Sequence, residues 1–324
     1  MGVTSIEWTD RTWNPTTGCT KVSAGCDRCY AETISRRFTG SKAFPRGFEL
    51  TLHPERIEDP LYWRRPSRVF VNSMSGLFHS DIPDVFLHQV FDVMERATSH
   101  QFQVLTKRPG RMKSFIAARE AAKARYAAQF DDCPTPQMRD SPAARQARYR
   151  ALHPPTNLWL GVSVEDQKTA DLRIPILAQT PAAVRFVSAE PLLEPVDLTE
   201  HLTRPCPCCQ GEPHPDEGCG DCADAGCDTG FTSPLHWVIV GGESGPGARE
   251  MDPLWATDLV LECRQQRVPV FVKQLGSHAR RQHKDIEQFP RPLRLRQFPR
   301  PEPVTTVARI PGEQHTAPPV PATT

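Results

Sequence analysis

Three cysteines near the start of the chain have the spacing of a metal-binding loop. Cys19, Cys26 and Cys29 stand in the segment NPTTGCTKVSAGCDRCYAE, with six residues between the first two and two between the last two. Cys26 and Cys29 could bind one metal centre through a tight turn, and Gly18 and Gly25 allow the backbone to wrap around it. Three thiolates on a 4Fe-4S cluster would leave one iron open to bind a substrate or a cofactor.

The alternative for this loop is a closed structural zinc site. The three cysteines would then take His53 or His79 as a fourth ligand, and the metal would only hold the loop in place. A closed structural site usually has two C-x2-C pairs, whereas this loop has one, so the sequence favours the cluster.

A second group of cysteines, in the segment CPCCQGEPHPDEGCGDCADAGCDTGF, predicts a zinc site. Two C-x2-C pairs, Cys206 with Cys209 and Cys219 with Cys222, supply the four thiolates of a tetrahedral zinc. Cys227 could replace Cys219, since the segment resembles the zinc-binding repeats of DnaJ-type chaperones, and which four cysteines bind stays open. Such an inserted knuckle is typically a structural staple or a contact surface for nucleic acid or a partner protein.

Seven blocks of sequence carry a resemblance to a known family. They are NPTTGCTKVSAGCDRCYAE, VFVNSMSGLFH, QVLTKRP, LWLGVSVEDQ, VRFVSAEPLL, VIVGGESGPGAR and PVFVKQLG, within residues 4–276. With them the chain resembles the phage-associated three-cysteine-motif proteins of uncharacterised function, a family similar in turn to radical S-adenosylmethionine (SAM) enzymes. The resemblance implies a 4Fe-4S cluster on Cys19, Cys26 and Cys29, SAM as cofactor, and hydrogen abstraction from a substrate. Because the first cysteine gap differs from the usual C-x3-C-x2-C, only Cys26, Cys29 and Tyr30 match in spacing.

Polar side chains end most of the predicted strands. The candidates for acid, base or substrate-binding roles are Lys107, Glu165, Glu190, Glu243 and Lys273, and those for cofactor binding, besides the three cysteines and Tyr30, are Asn72, Ser73 and Ser163. A barrel would gather these positions around one pocket, where they could hold the amino and carboxylate groups of SAM or act as acid and base. Taken singly, each is more typical of a salt bridge or loop cap. The glycines of GGES at 241–244 form either a backbone cradle for an anion or a tight turn.

Eight β-branched runs, most of them nearly continuously apolar, predict the scaffold that positions these residues. The runs are 5–9, 49–52, 68–73, 101–107, 157–163, 184–188, 236–242 and 269–274, and the helices between them include 29–38, 84–98, 166–179 and 253–266. Alternating strand and helix predicts parallel pairing. Eight such units predict an α/β fold, a (β/α)8 TIM-type barrel that is closed or partly open, with the cysteine loop at its catalytic face.

Two insertions and a tail complete the predicted organisation. Residues 1–276 form the barrel, interrupted by an Ala- and Arg-rich helical insertion at 113–152 and the zinc-binding insertion at 203–233. Residues 277–324 are rich in Pro, Arg, Gln and Thr and poor in large apolar residues, which predicts a disordered tail.

Composition limits the classes of function. The 324 residues carry a net charge of +1, so any contact with nucleic acid must come from a local basic patch. The first residues lack the pattern of a signal peptide and no apolar run is long enough to cross a bilayer, which predicts a cytoplasmic protein without membrane contact. Eleven cysteines in such a protein are more typical of metal ligands or catalytic groups than of disulfides.

Three functions agree with these features. The first is a radical-SAM-like iron-sulfur enzyme that modifies a nucleotide or nucleic acid. The second is a non-enzymatic zinc protein that contacts nucleic acid or a partner protein, with both cysteine groups structural. The third is a barrel hydrolase or nuclease that uses rim carboxylates and a divalent metal.

Overall fold

A curled sheet of seven parallel strands forms the centre of the molecule. The computed structural model describes residues 4–205, 231–245, 247–277 and 284–299. Its strands in chain order are β1 (Arg11–Trp13), β2 (Thr16–Thr17), β3 (Thr51–Leu52), β4 (Arg68–Val71), β5 (Gln101–Thr106), β6 (Leu158–Val164), β7 (Val184–Ala189), β8 (Arg204–Pro205), β9 (Phe231–Thr232), β10 (Trp237–Gly241) and β11 (Val270–Gln274). The sheet order β1-β4-β5-β6-β7-β10-β11 follows the chain, and every neighbouring pair is parallel. The result is a half-barrel, in agreement with a partly open (β/α) barrel.

Two of the eight predicted barrel strands are wrong. The first strand of the sheet is β1, not residues 5–9, whose apolar character reflects Trp8, a side chain buried inside the half-barrel. Residues 49–52 contain β3, but β3 pairs antiparallel with β2 outside the main sheet, and a 3-10 turn that begins at Pro54 ends it after two residues. The sheet is therefore open in the part of the chain that the structure describes.

The described residues include eight α-helices, several of which pack against the outer face of the sheet. They are α1 (Tyr30–Arg37), α2 (Asp84–Arg96), α3 (Pro109–Ala128), α4 (Pro136–Arg139), α5 (Pro142–Leu152), α6 (Gln167–Ala178), α7 (Thr199–Leu202) and α8 (Pro253–Gln265). In α2, for example, Val90, Phe91 and Met94 recur at helical spacing and are fully buried. Within the described ranges, no helix is both long and apolar enough to cross a membrane.

The predicted insertion at 113–152 is helical, but it starts inside a helix of the barrel. The first half of α3 buries Met112, Phe115 and Ile116 in the main core, as the helix after β5 should. The second half of α3 extends further, and α5 packs along α3.

Aromatic side chains fill the concave face of the sheet near the amino ends of its strands. The cluster comprises Trp8, Phe70, Trp159, Phe186, Trp237 and Phe271. The Trp237 ring lies centrally, 5.8 Å from that of Trp159 and 5.6 Å from that of Phe186. Because these rings fill this half of the interior in the described part of the chain, the open space lies towards the carboxyl ends of the strands.

The chain remains ordered beyond the predicted barrel limit at residue 276. Residues 284–299 cover the edge of β11, where the carbonyl oxygen of Leu295 accepts a hydrogen bond from the Val272 N–H at 2.8 Å. Phe289 and Leu293 are buried there, so two well-placed apolar residues anchor a segment whose composition predicts disorder.

Two predicted regions lie outside the described residues. One is residues 300–324. The other is the segment of the predicted zinc ligands Cys206, Cys209, Cys219, Cys222 and Cys227.

Candidate functional site

A cavity of about 570 Å³ opens at the carboxyl ends of the parallel strands. The residues predicted from the sequence that line it are Cys19, Cys26, Cys29, Tyr30, Asn72, Ser73, Lys107, Ser163, Glu190, Glu243 and Lys273. Glu165 is the exception, since it is fully buried behind Lys107, with which it forms an ion pair. The fold thus brings the thiols and the polar strand ends to one place.

Two glycines fix the path of the cysteine loop. Gly18 has a φ of +81°, and a Cβ there would lie 2.1 Å from the carbonyl oxygen of Glu49. At Gly25, a Cβ would lie 2.5 Å from Cγ of Glu165 and 2.7 Å from Nζ of Lys107. The loop therefore packs directly on the Lys107–Glu165 ion pair.

Polar contacts from beyond β5, β6 and β10 hold the same loop. Each joins one loop residue to one residue that follows a strand: the Thr20 carbonyl to Arg108 Nη2 (3.0 Å), Ser23 Oγ to Glu165 Oε1 (3.1 Å) and the Ala24 carbonyl to Arg249 Nη2 (3.0 Å). Because the three strands are far apart in sequence, the loop can take this position only when the half-barrel is assembled.

Glu165 is a positioning residue in this arrangement, not a group exposed to a ligand. Its carboxylate forms ion pairs with Lys107 and with Arg173, whose Nη1 lies 3.1 Å from Oε2. The side chain of Glu165 is completely buried. Two cations offset the cost of burying this charge, and Glu165 in return fixes Lys107 at the wall of the cavity.

Glu243 also acts as a positioning residue, although it lines the cavity. Its carboxylate accepts hydrogen bonds from Arg249 Nε at 3.0 Å and from the Arg249 backbone N–H at 2.8 Å. Burial raises the pKa of Glu243, but the bonds from Arg249 outweigh burial and hold that pKa below its ordinary value. Glu243 thereby orients the guanidinium that holds the cysteine loop.

The first two residues of GGES are glycines because the backbone has close neighbours there. A Cβ on Gly241 would lie 2.5 Å from Oε1 of Glu190, and one on Gly242 would lie 2.7 Å from the backbone nitrogen of Gly276. The glycines therefore make room for Glu190 and for the chain after β11.

The cavity places a lysine beside the thiols. Burial raises the pKa of Cys26, but the Lys107 ammonium and hydrogen bonds from the backbone of Val22 and Ser23 outweigh it, so that pKa is lowered. Burial raises the pKa of Cys29, and the charges of Cys26 and Cys19 add to that shift.

The pKa of Lys107 is lowered as well. Burial lowers the pKa of Lys107 to about 8, and the nearby charge of Arg173 acts in the same direction. The charge of Cys26 acts in the opposite direction and favours the ammonium form.

Neither histidine proposed for a structural zinc site is free. His53 Nε2 lies 2.9 Å from Thr17 Oγ1, and His79 Nε2 lies 2.9 Å from Thr20 Oγ1. His79 Nδ1 also accepts a hydrogen bond from the Asp81 N–H at 3.2 Å. A site that used His79, or Nε2 of His53, would first have to break these bonds. In the described ranges no three His, Cys, Asp or Glu side chains are grouped so as to hold a metal ion.

Two buried amide oxygens belong to residues that line the cavity. Asn72 Nδ2 donates to Thr16 Oγ1 at 2.7 Å, and Gln274 Nε2 donates to the Gly242 carbonyl at 2.9 Å. These bonds leave Asn72 Oδ1 and Gln274 Oε1 buried without a hydrogen-bond partner among the described residues. Each oxygen therefore lacks the donor that buried acceptors usually have.

Other cavity residues hold each other in place. Glu190 accepts a hydrogen bond from Ser188 Oγ at 3.1 Å and forms an ion pair with Lys273 Nζ at 3.0 Å. The Tyr30 hydroxyl donates to the Ser73 carbonyl, which fixes the tyrosine ring at the cavity mouth.

The site also contains three arginines that the sequence analysis does not single out. Arg108 Nη1 donates to the sulfur of Cys19 at 3.4 Å, Arg173 holds Glu165, and Arg249 holds Glu243. Only weak features of the sequence point to them. Arg108 follows Lys107 directly at the end of β5, and Arg173 faces back from α6 towards the carboxylate that precedes that helix.

One family model matches the chain. It carries the description "Protein of unknown function (DUF5131)" and matches residues 3–304, a span that contains every residue of the cavity. No curated protein and no solved structure matches the chain.

Proposed function

The chain belongs to the DUF5131 family of uncharacterised proteins, and we propose that it is a radical-SAM-like iron-sulfur enzyme that modifies a nucleotide or nucleic acid. The observation that carries this proposal is that Cys19, Cys26 and Cys29 line one cavity together with lysines and carboxylates. That cavity lies where (β/α) barrels carry their active sites. The association with phages and the similarity to radical SAM enzymes remain predictions from the sequence blocks.

The donor set suits a 4Fe-4S cluster. A cubane cluster spreads its ligands over several irons, so three thiols around one cavity can hold it without converging on a single ion. Lys107 and the Arg108 guanidinium add positive charge beside thiolates, which favours the ligating form. When bound, such a cluster supplies one-electron reduction of SAM and, through it, removal of a substrate hydrogen atom.

The other cavity groups suit the polar ends of SAM. The buried oxygens of Asn72 and Gln274 can accept hydrogen bonds from an amino group, and the ammonium groups of Lys107 and Lys273 can bind a carboxylate. Lys107, with a pKa of about 8, can also hold or release a proton near neutral pH.

Anaerobic purification followed by iron, sulfide and zinc analysis tests the proposal. We expect a brown protein with broad absorption near about 400 nm, as Cys-ligated clusters give, and 5′-deoxyadenosine after addition of SAM and dithionite. Cys26→Ser should lose iron and keep zinc. Cys133→Ser is the matched control, because Cys133 is a half-buried thiol outside the cavity, and it should keep both metals.

Two outcomes would contradict the proposal. A colourless protein that contains zinc alone would favour the non-enzymatic zinc protein. Hydrolytic activity with a divalent metal that survives Cys26→Ser would favour the hydrolase or nuclease.

A further inference from the structure

Apolar side chains are exposed on the helix beside the cavity mouth and on the loop that precedes it. We call this patch, made of Val22, Tyr30, Ile34, Arg37 and Phe38, the α1 surface. Its apolar members are 44%, 43%, 38% and 51% exposed, in that order. Tyr30, Ile34 and Arg37 lie four and seven residues apart, so they project from the same side of α1. Val22, Tyr30 and Ile34 also line the cavity, so the surface leads into it.

The same region carries an excess of positive charge. Residues 21–49 contain six Lys or Arg and three Asp or Glu, whereas the whole chain has a net charge of only +1. All six cations are exposed. Lys21 and Arg36 form ion pairs with Glu32, Arg28 pairs with Glu243 and Arg46 pairs with Glu49, while Arg37 and Lys42 form no ion pair among the described residues. The segment still carries three more Lys and Arg than Asp and Glu, and this positive excess suits a polyanion.

Two aromatic rings of the surface are placed for stacking. The hydrogen bond from the Tyr30 hydroxyl to the Ser73 carbonyl holds the tyrosine ring while leaving part of it in solvent. The guanidinium carbon of Arg37 lies 5.7 Å from the centroid of the Phe38 ring. An aromatic ring next to an arginine offers stacking for a base and a charge for the neighbouring phosphate.

We propose that the α1 surface binds single-stranded nucleic acid and leads one nucleotide into the cavity. A base stacks on Tyr30 beside the thiols, a neighbouring base stacks on Phe38, and the unpaired cations Arg37 and Lys42 contact phosphates. A single strand is specified because its base faces are free to stack, whereas those of a duplex are not. This inference rests on the proposed function in one respect, because it names the class of substrate that enters the same cavity.

Fluorescence anisotropy with labelled oligonucleotides of about 15 nucleotides, a length suited to one stacking surface, tests the inference. The oligonucleotides are single-stranded DNA, single-stranded RNA and a DNA duplex, titrated with the full chain at several salt concentrations. The test variant combines Arg37→Glu with Phe38→Ala. Its matched control combines Arg150→Glu with Tyr149→Ala on α5, where the tyrosine is 49% exposed and the arginine is exposed as well.

We expect at least one of the single strands to bind more tightly than the duplex, with an affinity that falls as salt rises. The test variant should bind at least about 10-fold more weakly, because one stacked base and one phosphate contact are lost. When the logarithm of the binding constant is plotted against the logarithm of the salt concentration, the slope should become shallower by about 0.7 for each phosphate contact removed. The control variant should remain within about 2-fold of the unmodified protein, since a distant surface substitution leaves the contacts intact.

Three results would overturn the inference: no binding of either strand at low salt, duplex binding as tight as single-strand binding, or equal losses in the two variants. The first of them, no binding of either strand, would favour an acidic protein partner instead. Because binding needs no cluster, a protein that binds the strand but contains no iron contradicts the proposed function alone. A protein that contains iron but binds no strand contradicts only this inference.

Discussion

Lys107 connects the buried network behind the cavity with the thiols in front of it. It forms an ion pair with Glu165 on one side, and its charge lowers the pKa of Cys26 on the other. This link is electrostatic, so it can be measured in the protein without any metal.

Replacing Lys107 with Gln should therefore make the Cys26 thiol less reactive. Without the ammonium the pKa of Cys26 rises, and a rise of one unit lowers the thiolate fraction about 10-fold below that pKa. We expect alkylation of Cys26 by iodoacetamide in iron-free protein at pH 7.5 to slow by about 3- to 10-fold, as measured by peptide mass spectrometry. Lys273→Gln is the control, because Lys273 pairs with Glu190. Equal slowing in both variants would show that Lys107 has no special role.

The sequence predicts which strand ends gather at the cavity better than it predicts the contacts that their side chains make. Strand-end positions such as Asn72, Lys107 and Lys273 were predicted to meet because parallel strands bring their carboxyl ends to one edge, and they line the cavity. The roles of Glu165 and Glu243 were not predictable, because each depends on an arginine that only the folded chain brings to it. The sequence alone does not show whether a carboxylate forms an ion pair with an arginine in the folded protein.

At the scale of elements, the cysteine loop is fixed by contacts with the half-barrel. A side chain at Gly25 would separate the loop from Lys107 and Glu165. Since these partners belong to a buried ion pair, they have little freedom to move aside.

Gly25→Ala should therefore displace the loop. We expect a loss of stability of about 1–3 kcal/mol, as for other overpacked sites, together with lower iron content after anaerobic purification. Gly110→Ala is the matched control, since a Cβ at Gly110, in the first turn of α3, has no other atom within 4 Å. That variant should be unchanged or more stable by up to about 1 kcal/mol. Normal iron content in Gly25→Ala would mean that the loop does not need this close contact.

The strands were predictable where burial on both faces dictates the sequence. The nearly continuous apolar run 157–163 predicts a strand that is buried on both faces, and all seven residues of β6 are buried. The runs 5–9 and 49–52 are not strands of the main sheet, because their apolar residues pack outside a sheet strand or belong to a short separate pair. A short apolar run shows that a segment is buried, but not how it is paired.

For the whole molecule, buried histidines make stability depend on pH. His100 is 2% exposed, lies against the rings of Trp63 and Phe102, and burial lowers its pKa. Burial likewise lowers the pKa of His53 and of His79. Below about pH 6.5 the unfolded chain binds protons that the folded chain rejects, so stability falls as pH decreases.

His100→Phe should make this decline shallower. A single group can lower the free energy of unfolding by up to about 1.4 kcal/mol for each pH unit below about pH 6.5. The variant removes this contribution and keeps an aromatic ring. Urea denaturation from pH 5 to 8.5 measures it. Above about pH 7.5 the difference between the two proteins should be constant, because His100 is then neutral in both states. If the free energies of unfolding of the two proteins change in parallel over the whole pH range, His100 is not the source of the decline.

The segment at 284–299 is the other feature that belongs to the whole molecule, because it covers the edge of an open sheet. A chain ending at residue 283 would lose the buried side chains of Phe289 and Leu293, at about 1.5–3 kcal/mol each, and would uncover β11. We expect it to aggregate or to unfold at a clearly lower urea concentration. A chain ending at residue 299 should match the full chain, since the composition of residues 300–324 predicts no contribution to the core. Equal stability of both shortened chains would show that the half-barrel needs no cover on β11, and its cavity could then be studied in the shorter chain.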